Sequence, residues 1–153
     1  MKPITTGSLA LIAALLVDQA TKAIIVDNAG RIGSGHPIFP GFNLVFGRND
    51  GVSFGLFDQA PWWSLSALAG IICIGLAVML VRATKRVEAF AYGAIIGGAL
   101  GNVVDRLRFG AVTDFLDFYV GSLHWPAFNL ADVFVVGGVA LLFFVPDRKP
   151  VQA

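Results

Sequence analysis

Four long apolar runs, separated by polar connections, most constrain what this chain of 153 residues can fold into. Each run is about long enough to cross a hydrocarbon layer of ~30 Å as an α-helix, which rises ~1.5 Å per residue. The chain is 56% hydrophobic and 14% charged, with a mean hydropathy of +0.76, unlike a soluble domain. The sequence therefore predicts an all-α membrane protein of one domain, 1–153, with helices at about 8–26, 62–81, 89–108 and 130–145.

The Lys and Arg residues next to the predicted helices indicate how the chain is oriented. Loops rich in Lys and Arg stay on the cytoplasmic side of a membrane. We therefore expect both termini in the cytoplasm and two longer connections, about 27–61 and 109–129, on the outer face. The residues that set this orientation are Lys2, Arg82, Lys85, Arg86, Arg148 and Lys149.

Charge and cysteine content exclude several classes of function. The net charge is +1 and the basic residues are scattered, so the chain has no basic stripe for a nucleic-acid partner. A single cysteine, Cys73, excludes an internal disulfide and a cysteine-based zinc cluster. His36 and His124 are isolated in sequence, so we expect no metal site.

Polar residues from separate helices converge on one membrane depth. An ionisable side chain at that depth is costly and therefore indicates a functional site. Asp18 and Lys22 are one helical turn apart, where an acid and an amine neutralise each other, which favours structural support. The residues that reach this level are Asp18, Lys22, Asn102, Asp105, Arg106, Asn129 and Asp132.

Aspartates next to the last two apolar runs suggest peptide hydrolysis. Two carboxylates that share one proton can activate a water and polarise a scissile carbonyl, as in the aspartic-protease dyad. Asp132 opens the fourth helix and is one candidate. Spacing alone does not choose among Asp105, Asp114 and Asp117 as its partner.

The first long connection contains FNLVFGRNDGVSFGLF, residues 42–57. Two strand-like runs rich in Phe and Val flank the turn-forming residues 48–51, which predicts a small β-hairpin on the outer face. This hairpin either covers the polar site or is a simple packed turn. In the third helix, Gly93, Gly97 and Gly101 recur every four residues and predict close packing against another helix.

Several segments, in order and spacing, carry a resemblance to a known family. They are DQATK at 18–22, FNLVFGRNDGVSFG at 42–55, GGALGNVVDRLRFGAVTDF at 97–115 and PAFNLADVF at 126–134. Together they resemble the bacterial lipoprotein signal peptidases (signal peptidase II) over nearly the whole chain. The resemblance implies a four-helix aspartyl endopeptidase of the bacterial inner membrane that needs no cofactor. Its substrates would be prolipoproteins, cut just before the diacylglyceryl-modified lipobox cysteine.

The same resemblance implies roles for individual residues. Asp114 and Asp132 match the catalytic pair of the family, and Asp105 is the second choice for the pair. The residues that match supporting or substrate-binding positions are Asn102, Arg106, Asn129, Asn49, Gly51, Asp18 and Lys22.

Other classes of membrane protein also place acids at membrane depth. A small proton- or ion-coupled transporter is the main alternative, although such proteins often show an internal repeat, and none is evident here. A noncatalytic membrane scaffold is a third class. Four helices suffice for a protein that works as a monomer in contact with membrane lipid.

Overall fold

The computed structural model describes residues 1–50 and 62–145. Its helices are α1 (Pro3–Asp27), α2 (Ala29–Ile32), α3 (Trp62–Arg82), α4 (Arg86–Phe109) and α5 (Leu130–Phe143). The long helices α1, α3 and α4 are apolar and long enough to cross a membrane, and α5 is a shorter apolar helix. The four predicted runs are therefore helical within a few residues of their expected bounds, while the one-turn α2 was not predicted.

Glycines of α4 let neighbouring helices approach its backbone. A Cβ added at Gly93 would overlap the main chain of Gly7 in α1, and one added at Gly97 would overlap the main chain of Leu11. On another side of α4, a Cβ at Gly98 would overlap the carbonyl of Ala131 in α5. The spacing of Gly93 and Gly97 therefore serves close packing against α1, and Gly98 lets α5 approach the same central helix.

Within the described residues, a four-stranded antiparallel sheet accompanies the helices, in the order β1-β2-β3-β4. Strand β2 (Phe42–Asn49) pairs on one side with β1 (His36–Phe39) and on the other with β3 (Val112–Val120), which pairs with β4 (Leu123–His124).

The first arm of the hairpin predicted over 42–57 is β2, which pairs with β3 from the other long connection. Alternation within 42–49 indicates a strand but carries no information about pairing with a segment about seventy residues away. The second arm of that hairpin lies outside the described residues.

Strand β3 follows α4 almost directly, so the end of α4 fixes where β3 begins. Helix α4 ends at Phe109 and is followed by Gly110, whose φ of 72° is the left-handed conformation that favours glycine at a helix end. Three residues later, the backbone N–H of Thr113 donates to Asp105 Oδ2 at 2.8 Å. Phe115 of β3 then packs with Ile25 and Ile32 in a buried cluster. The start of β3 is thus held between α1 and the last turns of α4.

Candidate active site

Asn129 and Asp132 form a reciprocal cap at the start of α5. The backbone N–H of Asp132 donates to Asn129 Oδ1 at 3.1 Å, and the backbone N–H of Asn129 donates to Asp132 Oδ2 at 3.2 Å. This capping box satisfies two helix-start donors and fixes the orientation of both side chains. The Asp132 carboxylate also lies at the positive end of the α5 dipole, which favours a negative charge there.

The side-chain amides of Asn129 and Asn102 connect Asp132 to Asp114. Asn129 Nδ2 donates to Asp114 Oδ1 at 2.7 Å and to Asn102 Oδ1 at 3.2 Å. Asn102 Nδ2 in turn donates to Asp132 Oδ1 at 2.9 Å. Asn129 is fully buried, and every polar atom of its side chain has a partner. The two carboxylates are therefore oriented by neutral groups that add no charge between them.

Asp114 is held from the other side by Asn49 of β2. Asn49 Nδ2 donates to Asp114 Oδ2 at 2.9 Å, so each carboxylate oxygen of Asp114 accepts from one amide. Asp114 is 5% exposed. Burial raises the pKa of Asp114 from 3.8 to about 6; the nearby negative charge of Asp132 adds to the increase, and the two amide hydrogen bonds oppose it. Asp114 is thus able to hold a proton close to neutral pH.

Arg106 supplies positive charge next to the two carboxylates. Its guanidinium is within electrostatic reach of Asp132, Asp114 and Asp105. A fixed cation at this place offsets part of the repulsion between neighbouring carboxylates.

A buried ionic cluster lies directly behind the pair. Lys22 Nζ is 3.0 Å from Asp18 Oδ2 and 3.6 Å from Asp105 Oδ2, and it donates to Asn102 Oδ1 at 2.8 Å. All three charged side chains are at most 3% exposed. Asp18 Oδ1 also accepts from the backbone N–H of Ala131 in α5 at 2.9 Å. The cluster joins α1, α4 and α5 and connects Lys22 through Asn102 to Asp132.

Asp105 belongs to this cluster rather than to the pair. Its Oδ1 accepts from Gln19 Nε2 at 3.1 Å, and its Oδ2 accepts from Thr113 N and faces Lys22. These contacts occupy both carboxylate oxygens. Asp114 and Asp132 share Asn129 as a hydrogen-bond partner. The geometry therefore favours Asp114 over Asp105 as the second carboxylate of the pair.

An apolar cleft of about 630 Å³ opens next to Asp132. One wall is the segment that precedes α5, and the other is the outward side of α5 itself. Asp132 contributes the acidic group of the lining. A peptide lying in the cleft would therefore meet a carboxylate in apolar surroundings. The lining residues are Trp125, Pro126, Phe128, Asp132, Val133, Val136 and Gly137.

The structure brings most of the predicted site residues together. Asp114 and Asp132 are surrounded by Asn49, Asn102, Arg106 and Asn129, and Asp18, Lys22 and Asp105 lie behind them. Gly51 lies outside the described residues. Asp117, left open by spacing, faces Asn43 and His124 instead of Asp132.

Three supporting residues were missed by sequence reasoning. Gln19 bridges Asp18 and Asp105. Arg48 Nη1 donates to Thr113 Oγ1 at 2.9 Å. The Arg48 guanidinium also lies 4.0 Å from the centre of the Phe109 ring. Gln19 stands between the two residues recognised in DQATK, which was the available signal. Thr113 and Arg48 are far apart in sequence, and no motif predicts their contact.

Comparisons with known proteins agree with one another. The family model described as signal peptidase (SPase) II matches residues 10–145. The lipoprotein signal peptidase of Beijerinckia indica subsp. indica is 43% identical over 147 residues, covering 93% of this chain and 87% of that protein. The lipoprotein signal peptidase of Escherichia coli (strain K12) is 41% identical over 150 residues, covering 93% of this chain and 91% of that protein.

Two solved structures have a similar fold. Both are described as bacterial membrane enzyme structures obtained by the in meso method, at 2.3 and 1.9 Å resolution. The first has a TM-score of 0.81 and 27% identity, with 97% of this chain and 95% of that chain covered. The second has a TM-score of 0.80 and 29% identity, with 91% and 90% covered.

Proposed function

Because this chain belongs to the signal peptidase II family and removes signal peptides from prolipoproteins as a multi-pass enzyme of the inner membrane, we propose that Asp114 and Asp132 are its catalytic pair. The observation that carries this proposal is the shared amide of Asn129, which donates to Asp114 and caps Asp132. Two neighbouring carboxylates, both held by amides and one of them buried, are suited to share a single proton.

The environments of the two carboxylates suggest different roles. Asp114, whose pKa burial raises to about 6, holds the shared proton and donates a hydrogen bond to the scissile carbonyl. Asp132, at the positive end of the α5 dipole, is the anionic base that removes a proton from the attacking water. Water oxygen bonds to the carbonyl carbon as the Asp114 proton passes to the carbonyl oxygen.

The resulting tetrahedral intermediate then collapses. The proton now on Asp132 passes to the leaving amide nitrogen, the C–N bond breaks, and the hydroxyl proton of the intermediate returns to Asp114. The products are a signal peptide with a new carboxyl group and a mature chain with a free amino group. Arg106 limits the repulsion between the acids during the cycle. Asn49, Asn102 and Asn129 keep both carboxylates in place without adding charge.

The cleft beside Asp132 fits the chemistry of a lipidated substrate. A prolipoprotein cut before its diacylglyceryl-modified lipobox cysteine presents apolar groups on both sides of the scissile bond. An apolar cleft with one carboxylate at its edge receives such a segment and excludes bulk water from it.

The membrane arrangement forms part of the same proposal. We place four spans, α1, α3, α4 and α5, in the membrane as one peptidase domain over 1–153 that works as a monomer. Both termini face the cytoplasm because Lys2, Arg82, Lys85 and Arg86 lie at one end of the helices. The sheet and the catalytic pair then lie near the outer face, where a signal peptide and its lipid meet the bilayer surface.

Purified protein in detergent tests this function against the transporter alternative. A diacylglyceryl-modified prolipoprotein is incubated with the protein, a metal chelator and no ion gradient, and the products are analysed by mass spectrometry. We expect one cut, before the modified cysteine, and no cut in the unmodified prolipoprotein. Absence of cleavage by correctly folded protein would contradict the peptidase assignment, because hydrolysis by two carboxylates needs neither a gradient nor a metal.

A further inference from the structure

Asp117 and His124 form a second polar contact in the sheet, separate from the catalytic pair. Asp117 is three residues after Asp114 on β3, so the alternation of a strand points the two side chains to opposite faces. His124 Nδ1 lies 2.9 Å from Asp117 Oδ1 and 3.0 Å from Oδ2. The Asp117 side chain is 8% exposed and that of His124 is 51% exposed. The proposed reaction uses neither residue.

The Asp117 carboxylate joins three strands. Asn43 of β2, its register partner, donates from Nδ2 to Asp117 Oδ2 at 2.9 Å, and His124 approaches from β4. The His124 ring stacks on Tyr119 of β3, with 5.0 Å between ring centres. Burial pushes the pKa of Asp117 upward, but the hydrogen bonds from Asn43 and His124 together bring it below its ordinary value. Asp117 is therefore an anionic acceptor at neutral pH, and Nδ1 of His124 carries the hydrogen.

The residues that follow His124 form one wall of the substrate cleft. We call 124–128 the cleft-wall segment, since Trp125, Pro126 and Phe128 line the cleft. Strand β4 contains only two residues, which is too short to be stable without side-chain support. Beyond it, Trp125 N donates to Phe118 O at 2.8 Å. The contact between Asp117 and His124 thus lies at the upstream end of the wall.

We propose that Asp117 and His124 are a positioning pair that holds the cleft-wall segment against β3 and so maintains the binding site for the apolar part of the substrate. This inference rests on the proposed function, because the cleft must be where the prolipoprotein binds. Loss of the pair frees the end of the wall at Trp125 and Pro126, and substrate binding weakens.

The catalytic pair has its own supports, which separates binding from chemistry. Phe128 is held by main-chain hydrogen bonds with Leu116, at 3.1 and 2.8 Å, on the far side of the wall from His124. Asn129 is held by the capping box and by Asn102. Removal of the His124 side chain therefore leaves Asn129 and Asp132 in place, and KM changes far more than kcat.

Steady-state kinetics on a diacylglyceryl-modified prolipoprotein test the proposal. His124→Ala removes the donor, and we expect KM to rise about fivefold or more with kcat within about twofold of wild type, since a hydrogen bond to a charged group is lost. His124→Asn places an amide N–H close to the position of Nδ1, so it should restore KM to near the wild-type value. His36→Ala, at the exposed histidine of β1, is the matched control and should leave KM unchanged.

A double-mutant cycle with Asp117→Ala identifies the partner. The double variant Asp117→Ala with His124→Ala should raise KM little more than either single variant, because each removes the same contact. Nitrogen-15 NMR of His124 should show the Nδ1–H tautomer in wild type and its loss in Asp117→Ala.

Three results would overturn the proposal: an unchanged KM in His124→Ala, equal defects in His124→Asn and His124→Ala, or strictly additive effects in the cycle. A loss of kcat at constant KM in His124→Ala would also overturn it, by making the histidine part of the chemistry. Failure of the proposed function is distinguishable, because cleavage would then survive in Asp114→Asn regardless of how the His124 variants behave.

Discussion

Replacing Asp114 by Asn should abolish cleavage and, at neutral pH, make the protein more stable. The pKa of Asp114 rises from 3.8 to about 6 on folding, a difference of roughly two units, which corresponds to roughly 3 kcal/mol at 1.36 kcal/mol per unit. Because the folded pKa is the higher one, the folded state binds more protons between these values. Wild-type stability therefore falls as pH rises from about 4 to about 6 and stays reduced above that window.

Asp114→Asn avoids the cost of ionising a buried carboxylate, but it introduces the smaller cost of a lost hydrogen bond. Asp114 accepts one hydrogen bond on each oxygen, from Asn129 and Asn49, whereas an asparagine offers only one acceptor oxygen. In the variant, the new amide N–H₂ group faces the N–H₂ group of one of these asparagines, and the lost hydrogen bond lowers stability by about 1–2 kcal/mol. At pH 7.5 we therefore expect Asp114→Asn to be about 1–2 kcal/mol more stable than wild type, and near pH 4 to be about 1–2 kcal/mol less stable.

Unfolding in detergent at several pH values measures this difference. Asp27→Asn, at an exposed carboxylate at the end of α1, is the matched control and should show little pH-dependent change. A stability difference between wild type and Asp114→Asn that does not change between pH 4 and pH 7.5 would refute the assignment of Asp114 as the buried, proton-holding member of the pair.

Three further changes test the supports of the site. Asn129→Ala removes the α5 cap and the shared amide, so we expect unfolding to show a loss of about 1 kcal/mol of stability. Cleavage assays should show a fall in kcat on the order of 10²-fold. The control Asn28→Ala, at the exposed end of α1, should keep kcat. Lys22→Met leaves two buried carboxylates without their cation and should cost about 3–5 kcal/mol of stability; unchanged thermal unfolding would argue against the cluster. Gly93→Ala forces a Cβ into the α1 backbone and should cost about 1–3 kcal/mol, whereas Gly75→Ala, which meets open space, should leave the melting temperature unchanged or raise it.

The helices and most of the site could be predicted from the sequence because their signals are local. Apolar runs of sufficient length predict spans, and the spacing of Gly93, Gly97 and Gly101 predicts a face for close packing, which the contacts with α1 confirm. Asn129 and Asp132 lie in one helical turn, so their shared orientation follows from spacing. The choice of Asp114 came from the family resemblance, since spacing left Asp105 and Asp117 equally open.

The sheet and its contacts could not be predicted because they join distant segments. β2 reads as a strand, but nothing within 42–49 indicates that its partner is 112–120. The side chain of Asp117 likewise finds Asn43 and His124 through strand register, not through a motif. Arg48 and Thr113 meet for the same reason. Their contacts depend on how β3 leaves α4 at Gly110, a geometric property of the folded chain.

The most direct test of the central claim is cleavage of a diacylglyceryl-modified prolipoprotein by wild type, Asp114→Asn, Asp132→Asn and Asp105→Asn, each first shown to be folded in the same detergent. We expect no product from the Asp114 and Asp132 variants and measurable product from the Asp105 variant, whose carboxylate serves the buried ionic cluster. Cleavage by folded Asp114→Asn, with activity lost only in Asp105→Asn, would contradict the assignment of Asp114 and move the catalytic pair to the end of α4.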